Sequence, residues 1–103
     1  MITCYLRYKI DMYQLAEFEA YAKMWIPLVE RFGGTHHGYF LPKEGTSDLA
    51  VALFSFPSLA AYEKYREDAL DDEDCQAAYA YLEKTKCVIS FDRQFLRPIF
   101  NSD

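Results

Sequence analysis

Trp25-Ile26-Pro27-Leu28-Val29-Glu30-Arg31-Phe32-Gly33-Gly34-Thr35-His36-His37-Gly38 carries the end of one amphipathic helix and the start of a strand. Leu15, Phe18, Ala22, Trp25, Val29 and Phe32 recur at spacings of three and four, the period of a buried helix face. Gly33 or Gly34 supplies the left-handed residue that ends it. Pro27 lacks a backbone donor and presses on the preceding turn, which predicts a kink or break near Trp25. At the other end Asp11 is placed to cap the helix, with Gln14 three residues on able to reach back toward its backbone.

Working outward, residues 2–10 alternate, with Ile2, Cys4, Leu6, Tyr8 and Ile10 on one side and Thr3, Tyr5, Arg7 and Lys9 on the other. That period of two predicts a strand. A second strand is expected over residues 35–43 and a third over 49–56, joined through Glu44-Gly45-Thr46-Ser47-Asp48 as a hairpin. The third is apolar at nearly every position, so it belongs in the middle of a sheet, whereas Pro42 suits an edge. Ser58 caps a helix carrying Leu59, Tyr62, Arg66 and Ala69. Another helix is expected over residues 72–85, with Cys75, Ala78, Tyr79 and Leu82 on one side and Asp71-Asp72-Glu73-Asp74 at its N-terminus, where the helix dipole favours negative charge. A last strand spans residues 87–99.

The order β-α-β-β-α(α)-β over a single domain, residues 1–103, is an α+β, ferredoxin-like arrangement. Two right-handed crossovers put every helix on one face of a four-stranded antiparallel sheet. The other face is left bare. A soluble monomer rarely exposes so much contiguous apolar surface, which predicts a homodimer or larger homo-oligomer with sheets face to face.

Hydrophobic residues make up 51% of the chain and aromatics 17%, so it folds rather than staying disordered. The formal charge of −5 repels phosphodiester backbones, which argues against nucleic acid as a partner. No run of residues is long and apolar enough to span a bilayer and no secretory leader is evident, giving an expectation of no membrane and a cytoplasmic location. Cys4, Cys75 and Cys87 are odd in number and widely spaced, as reduced structural thiols would be.

Chemistry is harder to read. His36 and His37 are the only histidines. Adjacent on a strand they point to opposite faces and cannot chelate one metal together, though either is a candidate general base or haem ligand. Arg7 and Arg93 fall on strands expected to be neighbours, each with aromatics two residues away, a plausible seat for a carboxylate or enolate. The structural alternative for them is an ion pair with Glu19, Asp92 or a second subunit. Trp25, Tyr39, Phe54, Tyr62 and Tyr79, together with Tyr5 and Arg7, are candidates to line a ligand pocket; otherwise the aromatics are core. Ser55 and Ser90 lack nucleophile-elbow glycines, and Gly33, Gly34, Gly38 and Gly45 form no phosphate loop. No cofactor-binding or metal pattern is present.

Several of these segments resemble the NIPSNAP-type domains of the dimeric α/β barrel superfamily. They are Tyr5-Leu6-Arg7, Trp25-(x)2-Leu28-(x)3-Phe32-Gly33-Gly34, Gly38-Tyr39-Phe40, Leu53-Phe54-Ser55-Phe56-Pro57-Ser58-Leu59-(x)2-Tyr62 and Phe95-Leu96-Arg97-Pro98. The resemblance implies a homodimer whose paired sheets form a barrel, with a ligand cavity between sheet and helices in each protomer. It brings no catalytic residues, and Tyr5 stands where many relatives have an acid. Superfamily relatives include cofactor-independent monooxygenases, small-molecule isomerases and haem enzymes, among which fold cannot choose. Two functions therefore stand side by side: a small-molecule enzyme with a real pocket, and a non-catalytic binding or assembly module with a filled core. An RNA-binding sheet shares the strand order but is opposed by the acidic charge.

Overall fold

The computed structural model describes residues 1–100. Residues 101–103, the end of the expected domain, lie outside them. Strands β1 (Ile2–Ile10), β2 (Thr35–Phe40), β3 (Leu49–Phe56) and β4 (Val88–Leu96) form one antiparallel sheet in the order β2-β3-β1-β4. A 3-10 turn (Met12–Gln14) leads into helix α1 (Leu15–Arg31), and α2 (Leu59–Ala69) and α3 (Glu73–Thr85) make the second crossover. This is the β-α-β-β-α-α-β ferredoxin-like fold, with β3 inside the sheet as its apolar run requires.

Strand alternation assigns every side chain to a face. Cys4, Leu6, Tyr8 and Ile10 of β1 and Ala50, Ala52, Phe54 and Phe56 of β3 face the helices, and all eight are buried. Phe18 of α1 meets the Tyr8 ring edge-on at 5.3 Å, Tyr65 of α2 stacks on Phe56 at 5.0 Å, and Tyr79 of α3 packs on Trp25 of α1 at 5.2 Å. On α2 the inward row is Tyr62, Tyr65 and Ala69, so Tyr65 rather than Arg66 or Leu59 fills the core.

Helix ends follow local chemistry. Ser58 and Asp72 cap α2 and α3 by accepting from the N–H of Ala61 and Cys75. Asp11 caps the 3-10 turn instead of α1 itself, and Gln14 donates to its carboxylate rather than to its backbone. The acids at the start of α3 also reach across the molecule: Arg31, at the end of α1, pairs with both Asp72 and Asp74. At the C-terminus of α1, Gly33 takes φ +94, with Gly33 N–H on the Glu30 carbonyl and Gly34 N–H on that of Val29. This paired capping motif reverses the chain into β2.

Three expectations are corrected. Of the kink or break expected at Pro27, the break does not occur, since α1 stays helical from Leu15 to Arg31; the residue lies on the exposed side, where the freed Lys23 carbonyl can meet water. Strand β2 ends at Phe40 instead of residue 43, because Pro42 has no N–H to continue the ladder. Strand β4 likewise stops at Leu96, short of Pro98.

On the outer face Phe40, Leu49 and Leu96 are 54%, 41% and 45% exposed. This face is not wholly bare. Phe100 lies 5.9 Å from the His37 ring on β2, so the segment after β4 crosses the sheet. Beneath that crossing Thr3 and Ser55 are buried and hydrogen bonded to each other at 2.7 Å, with Ser55 also bonded to His37 Nε2 at 2.7 Å.

Gly34 is held by packing, since a Cβ there would stand 2.8 Å from Phe56 Cζ and from Val29 Cγ1. Gly34→Ala should cost about 1–3 kcal/mol through overpacking. Gly33→Ala should cost about 1–2 kcal/mol through its left-handed backbone. Phe56→Leu should rescue part of the first loss and none of the second in urea unfolding.

Candidate functional site

Between sheet and helices lies a cavity of about 260 Å³. Small residues on β3 shape its floor. Ala50 and Ala52 leave room for Tyr8 of β1 and Tyr39 of β2 to lean over the strand between them, and their rings stack at 6.2 Å. Leu6, Phe54, Val88, Phe91 and Arg93 complete the sheet side; Tyr21, Trp25 and Val29 of α1, Tyr65 and Arg66 of α2, and Tyr79 and Leu82 of α3 form the roof and walls.

A bulge decides which β2 residues reach it. His36 pairs with Phe54 and Gly38 with Leu53, leaving His37 as an extra residue. Strict alternation would put His36 and Tyr39 on opposite faces. The extra residue brings them together instead, with their rings stacked at 5.0 Å. His37 is turned to the outer face, so the two histidines do point opposite ways.

The candidates read from the sequence are thus divided. Trp25, His36, Tyr39, Phe54, Tyr79 and Arg93 line the cavity. Tyr62 packs behind it, stacked on Phe54 and edge-on to Phe95 at 4.9 Å. Tyr5, Arg7 and His37 sit on the outer face. Arg7 and Arg93 are on neighbouring strands, but the register pairs Arg7 with Asp92 and Leu6 with Arg93. Opposite parity sends the two guanidinium groups to opposite faces, which overturns their joint seat for an anion. Arg7 instead bonds Asp92 at 3.0 Å in a solvated pair worth about 0–1 kcal/mol. Tyr8, Tyr21, Tyr65, Arg66 and Phe91 were not singled out from the sequence. Only the inward parity of Tyr8 and the helical spacing of Tyr21 and Tyr65 carried a signal for them.

Polar groups at the cavity are unusual in kind. Trp25 Nε1, His36 Nε2 and Arg93 Nε are buried without a hydrogen-bond partner among the described residues. Burial, reinforced by His37, pulls the His36 pKa down to about 4, so the ring is neutral at pH 7. Its Nδ1 accepts the Gly38 N–H at 2.9 Å, which leaves the proton on Nε2. All three unpartnered atoms are therefore N–H donors. Burial raises the tyrosine phenols, Tyr21 to about 12 and Tyr39 well above its ordinary value, so they too remain protonated. Among the described residues no Asp or Glu lines the cavity. Among the described residues no group of three or more His, Cys, Asp or Glu is placed to hold a metal ion.

The family model for NIPSNAP proteins matches residues 5–102 of this sequence. The chain belongs to the NIPSNAP family. No curated protein matches it. Among solved structures, a protein from Agrobacterium tumefaciens is 15% identical with a TM-score of 0.82, over 96% of this chain and 94% of that one. A NIPSNAP family protein from the same organism is 20% identical with a TM-score of 0.80, over 95% and 92%. A Nitrosomonas europaea protein provisionally named an antibiotic biosynthesis monooxygenase is 6% identical with a TM-score of 0.75, over 97% and 100%. At these identities the likeness is one of fold. In this NIPSNAP chain Tyr5 faces away from the cavity.

The depressed His36 pKa fixes a pH dependence. From an unfolded value of about 6.5 to a folded one near 4, the unfolded chain holds the extra proton. The contribution of neutral His36 to stability is complete above pH 6.5 and is lost as pH falls toward 4. His36→Asn should flatten stability over this window in urea titrations, and the His36 ring resonances should titrate near pH 4.

Proposed function

We propose that this NIPSNAP protein binds, and in an enzyme of monooxygenase or isomerase type transforms, a small, flat and largely apolar molecule in the cavity between its sheet and helices. One observation carries this reading: a 260 Å³ space walled by tyrosine, tryptophan and phenylalanine keeps three buried N–H donors unpartnered. Leaving a buried donor unpaired costs about 1–3 kcal/mol, which an oxygen-bearing ligand would offset. The volume falls just below the roughly 300–1,000 Å³ of drug-sized pockets and suits one or two rings.

In such a reaction the chain offers charge stabilisation rather than a base. The phenols are held protonated, and His36 is neutral with Nδ1 already engaged. Arg93 and the N–H donors are suited to hold negative charge that develops on a substrate oxygen. The likeness to the Nitrosomonas protein supports this class of chemistry as a proposal.

The protein works, on this reading, as a homodimer or larger homo-oligomer joined through the outer sheet face, with neither nucleic acid nor membrane as partner. A second reading, a non-catalytic homo-oligomeric binding or assembly module, is favoured by the exposed Phe40, Leu49 and Leu96 of that face. The two differ in whether the cavity takes a ligand.

Trp25 is the only tryptophan, so its indole N–H resonance reports on the cavity alone. One- and two-ring aromatic compounds should shift it, and a panel that leaves it unmoved would leave only the assembly reading. Light scattering should give at least twice the 12.1 kDa chain mass at micromolar concentration. Leu53→Asp, on the outer face, should lower that mass while leaving Trp25 responsive; a monomeric parent protein would refute the pairing.

A further inference from the structure

Four of the five arginines of this chain fall into two kinds of environment. Arg7 and Arg31 each have a carboxylate within 3.0 Å, on Asp92 and on Asp74. Arg66 and Arg93, the two that line the cavity, have no ion pair among the described residues. In a protein of net charge −5 the cavity is thus a locally cationic place without a built-in counter-charge.

Arg93 is the more confined. It stands on the inward face of β4 opposite Leu6, with its guanidinium carbon 5.6 Å from the Phe91 ring centroid and its Nε buried and unpartnered. The ionisable groups that feel its charge do not neutralise it. Burial pushes the Cys4 thiol up to about 11 against the pull of Arg93, and burial likewise raises Tyr8, Tyr62 and Tyr79. Arg93 is half-buried, with Nε closed off from solvent, and an anion entering the cavity would give the guanidinium the charged partner that the described residues do not supply. A guanidinium presents a planar fork of donors, which matches a group with two equivalent oxygens.

We infer that the cavity is selective for an aryl carboxylate, a one- or two-ring aromatic acid whose carboxylate lies against Arg93 while its rings fill the tyrosine and tryptophan walls. This rests on the cavity being a ligand site and adds the sign of the ligand's charge and the residue that reads it. His36 stands at the opposite edge of the sheet, on β2, so the carboxylate seat does not include it. Arg66, from α2, adds a second positive charge to the same cavity.

The test compares three probes of one shape: 2-naphthoate, 2-naphthamide and the 2-naphthylmethylammonium cation. Each is titrated at pH 7 by calorimetry, with the Trp25 indole resonance locating the site. The acid should bind about tenfold or more tighter than the amide, the lower end of what a charged hydrogen bond contributes. The cation should not bind. Arg93→Gln should abolish the preference for the acid while keeping the amide affinity, and Arg93→Lys should keep part of it. An acid and amide of equal affinity that both move the indole would overturn the carboxylate assignment and leave the cavity reading standing. A preference that survives in Arg93→Gln would also overturn it. If none of the probes moves the indole, both readings fall. Should the glutamine variant not fold, the acid-to-amide ratio in the unaltered protein and in Arg93→Lys decides.

Discussion

The alternation of side chains along β1 is the constraint on which this molecule rests. Because β1 lies between β3 and β4, its parity fixes which half of each neighbour faces the helices. Cys4, Leu6, Tyr8 and Ile10 set the inward row, and Phe54, Ala52, Ala50, Phe95, Arg93 and Phe91 take their faces from it. A slip of one residue would bury Arg7 and Lys9 and expose the core. Burying a large apolar side chain stabilises by roughly 1.5–3 kcal/mol, so a whole row of them holds the register firmly.

The same row explains why the cavity exists. Where β3 carries alanine, the layer between sheet and helices is thin on the sheet side, and large rings from β1 and β2 close over it without filling the space beneath α1 and α3. Those rings bring hydroxyls into an apolar setting that keeps them protonated. Among the described residues no carboxylate lines the cavity, so the formal charges at its surface are those of Arg93 and Arg66. On the proposed reading, a site of this kind holds negative charge and has little means of removing a proton.

Much of the architecture was legible in the residues themselves. The period-two pattern of residues 2–10, the three-four stripe of α1, the Gly33-Gly34 stop and the capping serine and aspartates gave the order of elements and the one-sided helical layer. The site was legible only in part. Trp25, Tyr39, Phe54 and Tyr79 could be named as aromatic wall because they fall on inward positions of regular elements. Arg7 and Arg93 were placed together because adjacency of strands can be inferred from topology, whereas their relative parity depends on a register that only the paired structure reveals. Tyr8 and Tyr65 were passed over because a buried ring beside a cavity and a buried ring in solid core have the same pattern in sequence. The strand ends at Phe40 and Leu96 were overrun because alternation continues past the point where proline stops the ladder.

The extra residue at His37 has a bearing on how members of this family are compared. Side chains on either side of it obey different phase rules, so two chains that differ only by having or lacking that insertion present opposite sets of β2 residues to the interior. Position-by-position matching through this segment would then equate a wall residue in one protein with a surface residue in the other. Correspondence here has to be judged by hydrogen-bond partners on β3, where Phe54 marks His36 and Ala52 marks Tyr39.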